Sequence, residues 1–166
     1  MSGMATVARI RPEDWSVLRA VRIAALTDTP EAFGSTLERE LAFSDDDWRS
    51  RAAASADGSA RGTWLAWEGD EVVGIVGSFV DGDTAELVSM WVAPSARGTG
   101  VGVQLVDTAV DWARTTGVGS IDLWVVRGND RAQRRYESAG FVLTADHQPL
   151  PSDPCRDELR MRRPLR

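Results

Sequence analysis

Arg97-Gly98-Thr99-Gly100-Val101-Gly102 joins an apolar, strand-like run to the start of an amphipathic helical pattern. Glycines at 98, 100 and 102 permit positive φ and close backbone approach to a ligand, while the first turn of the following helix points unpaired N–H groups at the same spot. Such a nest suits an anion, and Arg97 adds a compensating charge, so a diphosphate is the expected occupant. The spacing narrows the choice. A P-loop requires Gly-x-x-x-x-Gly-Lys-Ser/Thr, and this chain contains no lysine. A Rossmann fingerprint requires a third glycine where, counting from Gly98 or Gly100, Val103 or Leu105 stands. A nucleotide-phosphate signalling domain loses both of its usual signatures.

A second block follows at Asn129-Asp130-Arg131-Ala132-Gln133-Arg134-Arg135-Tyr136-Glu137-Ser138-Ala139-Gly140-Phe141, which holds the only asparagine and the only tyrosine of the protein. Together the two blocks resemble the GNAT superfamily of acyl-CoA-dependent N-acetyltransferases. Residues 97–102 match its Arg/Gln-x-x-Gly-x-Gly/Ala signature, and residues 129–141 match Asn-x-x-Ala-x-x-x-Tyr-x-x-x-Gly-Phe at every defining position. The resemblance implies a mixed α/β (α+β) fold: a central, mostly antiparallel sheet with one splayed parallel strand pair, flanked by helices. It also implies acetyl-CoA as co-substrate, no metal, and transfer to a primary amine by direct attack in a ternary complex. Small-molecule amines and a protein amino terminus both fit as acceptor, and a homodimer is compatible with the family.

By the same resemblance, Met90, Trp91 and Val92 would pair with pantetheine and polarise the thioester carbonyl. Arg97, Gly98, Thr99, Gly100, Val101 and Gly102 would hold the pyrophosphate, with Asn129 and Ala132 across the gap. An alkylammonium must lose a proton before it attacks, and Glu86, where many family members place a carboxylate, is the candidate base. Period-two alternation puts Glu86 on one strand face with Val88, Met90 and Val92, an apolar setting that raises a carboxylate pKa; the competing reading is a solubilising strand-end charge. Tyr136 is the candidate acid for the departing thiolate, although a helix that must pack could use it as a core aromatic. Phe33, Ser35 and Thr36 are candidates for contact with the acceptor. Asp45 to Asp47, Asp81 and Asp83 could attract a cation but have ordinary capping explanations. A non-catalytic acyl-CoA-binding sensor that keeps the cradle and lacks transfer is the alternative function.

The elements that must position these groups follow from periodicity. Val7 to Ile10 reads as a strand, Glu13 to Thr27 as an amphipathic helix behind Pro12, and Glu31 to Phe33 as the start of a short second helix. Ser44 looks like an N-cap for a helix over residues 45–54. Three strands, 63–68, 71–80 and 84–92, separated by Gly-Asp and Asp-Gly turns, predict an antiparallel meander. A helix over 101–116, a buried strand over 121–126 and a helix over 130–139, ended by Gly140, make the cradle unit a parallel crossover. Residues 141–143 and 157–163 supply the last strands, and the sole histidine, His147, reads as a loop residue.

A chain of 166 residues with 43% hydrophobic composition is expected to form a single domain over 1–166. The sole cysteine, Cys155, offers neither a disulfide nor a Cys/His metal site. Nineteen arginines against twenty-five acids give a net charge of −6, which opposes binding to nucleic acid or an anionic membrane. Arg156, Arg160, Arg162, Arg163 and Arg166 alternate with Leu159 and Met161 and read as a solvated strand. Residues 1–11 lack a signal-peptide-like apolar stretch and no run approaches the ~20 residues of a membrane span, so a soluble, cytoplasmic protein is expected.

Overall fold

Short apolar alternations punctuated by glycine turns become a seven-stranded sheet in the computed structural model, which describes residues 4–166. The first three residues of the expected domain lie outside the described residues. Strands β1 (Thr6–Arg9), β2 (Arg61–Glu68), β3 (Glu71–Asp81) and β4 (Thr84–Val92) pair antiparallel, one beside the next. Gly69 (φ 60°) and Gly82 (φ 63°) make the two tight turns of this meander in the left-handed region, which a side chain would strain. Strand β5 (Ser120–Val126) runs parallel to β4. Strands β6 (Val142–Leu150) and β7 (Asp153–Pro164) form a hairpin that completes the order β1-β2-β3-β4-β5-β7-β6. The sheet is therefore mixed, with a single parallel pair, as expected.

Helices cover both faces. On one, α1 (Trp15–Asp28), α2 (Leu37–Leu41) and α3 (Asp45–Ala56) surround a core of Leu18, Val21, Leu26, Trp48, Leu65, Ile75 and Trp91. On the other, α4 (Val101–Thr115) and α5 (Asp130–Ser138) share a core with Ala85, Leu87, Ile121, Leu123 and Met161. Leu105, Val106, Ala109, Val110 and Ala113 recur at the i, i+3, i+4 spacing that buries one helical stripe, each large side chain contributing roughly 1.5–3 kcal/mol. A methyl group at Gly74 would lie 2.8 Å from Leu105 Cδ1, so the bare backbone there lets α4 lie close on β3.

Four differences from the sequence reading have physical causes. Helix α2 was not anticipated, because five residues are too few to show a period. Strands β6 and β7 run well beyond 141–143 and 157–163, and His147 is an exposed strand residue rather than a loop residue. The prolines that suggested a loop sit in an edge strand and its hairpin, where a missing N–H is tolerated. Residues 31–33 lie within a single 3₁₀ turn, Pro30–Ala32, and its flank rather than a helix. Asp45 to Asp47 open α3 in a capping box: Ser44 Oγ accepts from the Asp47 N–H at 3.1 Å, and the Asp47 carboxylate accepts from the Ser44 N–H at 2.9 Å. Among the described residues no helix is long and apolar enough to cross a membrane.

Candidate active site

Strands β4 and β5 pair at only three positions, Thr84 with Ser120, Ala85 with Ile121 and Glu86 with Asp122. Beyond them the strands part around a cleft of ≈ 180 Å³ lined by Met90, Trp91 and Val92 on one side and Trp124, Val125, Val126, Asn129, Ala132 and Tyr136 on the other. Val92 and Trp91 pair with Gly74 and Ile75 of β3 on their far edge, which leaves the near edge of β4 open to a ligand's amides.

The cradle closes one end. Gly98 (φ 78°) and Gly100 (φ 93°) take left-handed conformations, and an added Cβ at either would meet nothing within 4 Å among the described residues, so they leave the space above the turn open. Gly100 starts α4 without a side-chain cap, and among the described residues the N–H groups of Val101, Gly102 and Val103 have no acceptor. Gly102 differs from expectation: it has no positive φ and is already helical, and a side chain there would approach Arg135 Nε at 3.4 Å. Its bareness makes room rather than a turn. The Thr99 hydroxyl is bonded to the Ala96 carbonyl, and Val101 is a buried core side chain, so these two offer backbone only. Arg131, Arg134 and Arg135 of α5 join Arg97 around the cradle, a basic wall that the sequence reading missed. Arg97 itself donates from Nε to the Val92 carbonyl at 3.1 Å and is ion-paired to Asp28.

Glu86 sits where the strands part, and the alternation that placed it with Met90 and Val92 is broken. Ser89 and Met90 together oppose the single residue Val76, a β-bulge in which Ser89 has φ 58°. The extra residue inverts the parity of β4, so that Val92 joins Ala85 and Leu87 in the core under α4, whereas Glu86 and Val88 share the opposite face with Trp91. Arg22 Nη1 donates to Ser89 Oγ at 2.9 Å and holds the bulge from α1. The same guanidinium forks onto buried Glu40, at 2.9 and 2.5 Å. Burial raises the Glu86 pKa, the negative charges of Asp122, Glu158 and Asp81 add to the rise, and Arg160 opposes it. Asp122, 1% exposed, stays below the usual carboxylate range because hydrogen bonds from Arg162 and Arg160 outweigh its burial. Those contacts, 2.6 Å from Arg160 Nε and 2.8 Å from Arg162 Nε, correct the solvated-strand reading of these two arginines.

The second sequence block is a helix capped at both ends. Asn129 Oδ1 accepts from the Ala132 N–H at 3.3 Å, which leaves its amide N–H groups as donors beside the cleft. Gly140 (φ 91°) ends α5, with the Phe141 N–H returning to the Tyr136 carbonyl at 3.0 Å. This closure fixes Tyr136, whose ring meets Phe141 edge-on at 6.0 Å and lines both the cleft and a smaller chamber beyond it. Burial pushes the phenol up to about 12, so it carries its proton at neutral pH. Tyr136 is thus both core aromatic and cleft wall.

That chamber is also lined by Phe33, Val88, Ser89 and Trp124. Of the three residues expected to touch an acceptor, Phe33 is in the wall of this chamber, and the other two have roles of their own. Thr36 caps α2 by accepting from the Arg39 N–H at 3.1 Å, and Ser35 helps hold down the pKa of Glu40. Asp83 is ion-paired to Arg166 at 3.1 Å and binds the Gly119 N–H, a structural duty. Residues missed from sequence include Asp28, Ser89 and the Arg22–Glu40 pair. One signal was present: Arg22 falls on the buried stripe Leu18, Val21, Arg22, Ala25 of α1, where a lone charge needs a partner.

An open strand edge, a left-handed glycine turn with free space above it and a wall of guanidiniums together fit a long ligand with amides at one end and phosphates at the other. The family model described as "Acetyltransferase (GNAT) family" matches residues 19–141. The chain belongs to the GNAT acetyltransferase family. Among its GNAT relatives, the mycothiol acetyltransferase of Propionibacterium freudenreichii subsp. shermanii is 31% identical over 149 residues, which are 89% of this chain and 46% of that protein. The chain thus spans less than half the length of that curated relative. A GNAT-family acetyltransferase from Streptococcus pneumoniae shares the fold with a TM-score of 0.82 at 18% identity, covering 98% of this chain and 99% of the other. So does the PaiA N-acetyltransferase of Thermoplasma acidophilum, solved in complex with coenzyme A, with a TM-score of 0.79 at 16% identity over 98% and 100% of the two chains.

Proposed function

We propose that this GNAT-family protein is an acetyl-CoA-dependent N-acetyltransferase acting on a small-molecule primary amine by direct transfer in a ternary complex. The observation that carries the reading is the parting of β4 and β5 directly after Glu86 and Asp122, with the glycine cradle at one end of the cleft and Tyr136 toward the other. The N–H groups of Val101, Gly102 and Val103, with Arg97, would bind the pyrophosphate of acetyl-CoA. The free edge at Met90, Trp91 and Val92, with Asn129 and Ala132 opposite, would hold its pantetheine arm. Bound there, the co-substrate supplies an acetyl thioester.

Glu86 accepts the ammonium proton, directly or through one water, and its raised pKa brings its basicity closer to neutral pH than that of an ordinary carboxylate. Backbone donors at the β4 bulge stabilise the negative charge that develops on the carbonyl oxygen. As the C–S bond breaks, the Tyr136 phenol, protonated at neutral pH, gives its proton to the departing sulfur, and the second proton shed by the new amide nitrogen restores the phenol. The named activity of the mycothiol acetyltransferase relative supports a small amine as acceptor.

Thermal melts with and without acetyl-CoA, followed by a thiol-release assay across amine classes, test the reading. Binding at one hundred times the dissociation constant stabilises by about 2.7 kcal/mol. Thiol release that depends on an amine is the expected result. Stabilisation without release by any amine would leave a sensor, and no stabilisation would remove the site.

A further inference from the structure

A separate cavity of ≈ 270 Å³ opens between α1, α3 and strands β2 to β4, and the transfer chemistry just described leaves it without a role. Arg22, Arg51, Arg61 and Ser55 are in its walls, and Gly77 leaves its floor bare beside Val88. Val88 and Ser89 belong both to this cavity and to the chamber that contains Phe33 and Tyr136, so the two spaces meet at the bulge of β4.

Its charge is unbalanced. Buried Glu40 faces two guanidiniums, forking with Arg22 and lying 3.6 Å from Arg51 Nη1. Arg61 makes no ion pair among the described residues. Three positive charges therefore meet one negative charge, in a protein whose net charge is −6. Arg51 is also held in place, stacked 5.1 Å from the Phe43 ring centroid and 4.9 Å from that of Trp48. A guanidinium that is already ordered loses less freedom on binding, and its planar fork matches the oxygens of a carboxylate or a phosphate.

We propose that this cavity binds an anionic group carried by the acceptor itself, so that the acceptor is an amine bearing a carboxylate or phosphate rather than a simple polyamine. The inference rests on the transferase reading and deepens it. With its anion on Arg51 and Arg61, the acceptor extends past Ser89 and delivers its amine to the chamber lined by Phe33, Met90 and Tyr136. The cavity size suits a molecule of amino-acid scale.

The test compares thiol release from acetyl-CoA with three matched amines: an α-amino acid, its uncharged amide, and an aminoalkyl phosphate. At least a tenfold higher kcat/KM for one anionic amine over the amide is expected, and the better of the two identifies the anion. Arg61→Gln, at an exposed position, should bring that ratio toward one. Arg51→Gln is the second variant, read only where its melting curve shows a folded protein. A wild-type ratio near one with measurable turnover overturns the inference and leaves the transferase reading intact, as does a ratio unchanged in Arg61→Gln. If coenzyme A binds but no amine releases thiol, titration of the protein with an N-acetyl amino acid against its amide decides, and equal binding overturns the inference. Failure to bind coenzyme A at all overturns the transferase reading and this inference with it.

Discussion

Asp28 is ion-paired to Arg97 across the mouth of the cleft, and the same Asp28 oxygen accepts the Trp91 indole N–H at 3.1 Å. One carboxylate at the end of α1 thus holds both the strand that lines the cleft and the arginine of the cradle. The Trp91 hydrogen bond lowers the Asp28 pKa most, burial opposes it, and Arg97 lowers it further. Because the folded pKa is depressed, the pair is intact above the usual aspartate range and is lost only as pH falls through a lower value. A phosphate that recruits Arg97 must compete with this partner. Asp28→Asn is therefore expected to tighten coenzyme A binding about two- to fivefold, the worth of a partly exposed pair. Calorimetric titration checks this, and weaker binding would mean that Asp28 positions Arg97 instead.

Glu86→Gln keeps the shape of the strand end and removes the proton acceptor. At neutral pH its kcat/KM should fall by about 10²–10⁴, the usual range for losing a general base. With the Glu86 pKa raised above the ordinary ~4.3, the wild-type rate should climb with pH through that ionisation, and the climb should be missing from the variant. The deficit should shrink toward the pKa of the amine. Superimposable pH profiles would assign the proton to solvent.

Tyr136→Phe retains the edge-on contact with Phe141 and the closure of α5. The variant should bind acetyl-CoA within about a factor of two of wild type and lose about 10²-fold or more in kcat, in line with removal of a general acid. Single-turnover kinetics beside a binding isotherm separates the two quantities. Equal losses in both would make the tyrosine a wall of the cleft and nothing more.

Glu40→Gln leaves Arg22 and Arg51 facing one another without a counter-charge. Breaking a buried pair costs about 3–5 kcal/mol, measurable as a lower urea midpoint. Burial raises the Glu40 pKa, but the Arg22 hydrogen bonds and charge, with smaller contributions from Ser35 and Arg51, outweigh it, and the net shift is downward. Its contribution is therefore present above the usual glutamate range and disappears as pH falls through the lower folded value, so the stability difference between wild type and variant should narrow in acid. A difference independent of pH would assign the loss to packing.

Turn glycines and strand alternation were enough to place β2, β3 and β4 within two residues of their ends, and Gly140 announced the C-terminal cap of α5, whereas the N-cap made by Asn129 was not read. Chemistry carried by neighbours in sequence was readable for the same reason: the cradle and the Asn129–Phe141 block each lie on one continuous segment. The bulge at Ser89 was not, since nothing in Val88-Ser89-Met90 marks an extra residue until the register against Val76 is known. The face assigned to Val92, beyond the bulge, went wrong with it, while Glu86 and Val88, before it, share a face as the alternation has them and burial raises the Glu86 pKa. Contacts between distant segments were equally hidden: Asp122 with Arg160 and Arg162, Asp28 with Arg97, and Arg22 with Ser89 join elements whose pairing no local pattern encodes.

Because β4 and β5 are zipped at three positions only, the sheet behaves as two blades fastened by a short rivet, four strands on one side and three on the other. A molecule lodged in the wedge replaces the missing rungs of the ladder and splints the blades together. Amide exchange along Leu123 to Val126 should therefore slow on loading far more than along β2, and an empty protein should be most easily prised open at its own binding seam.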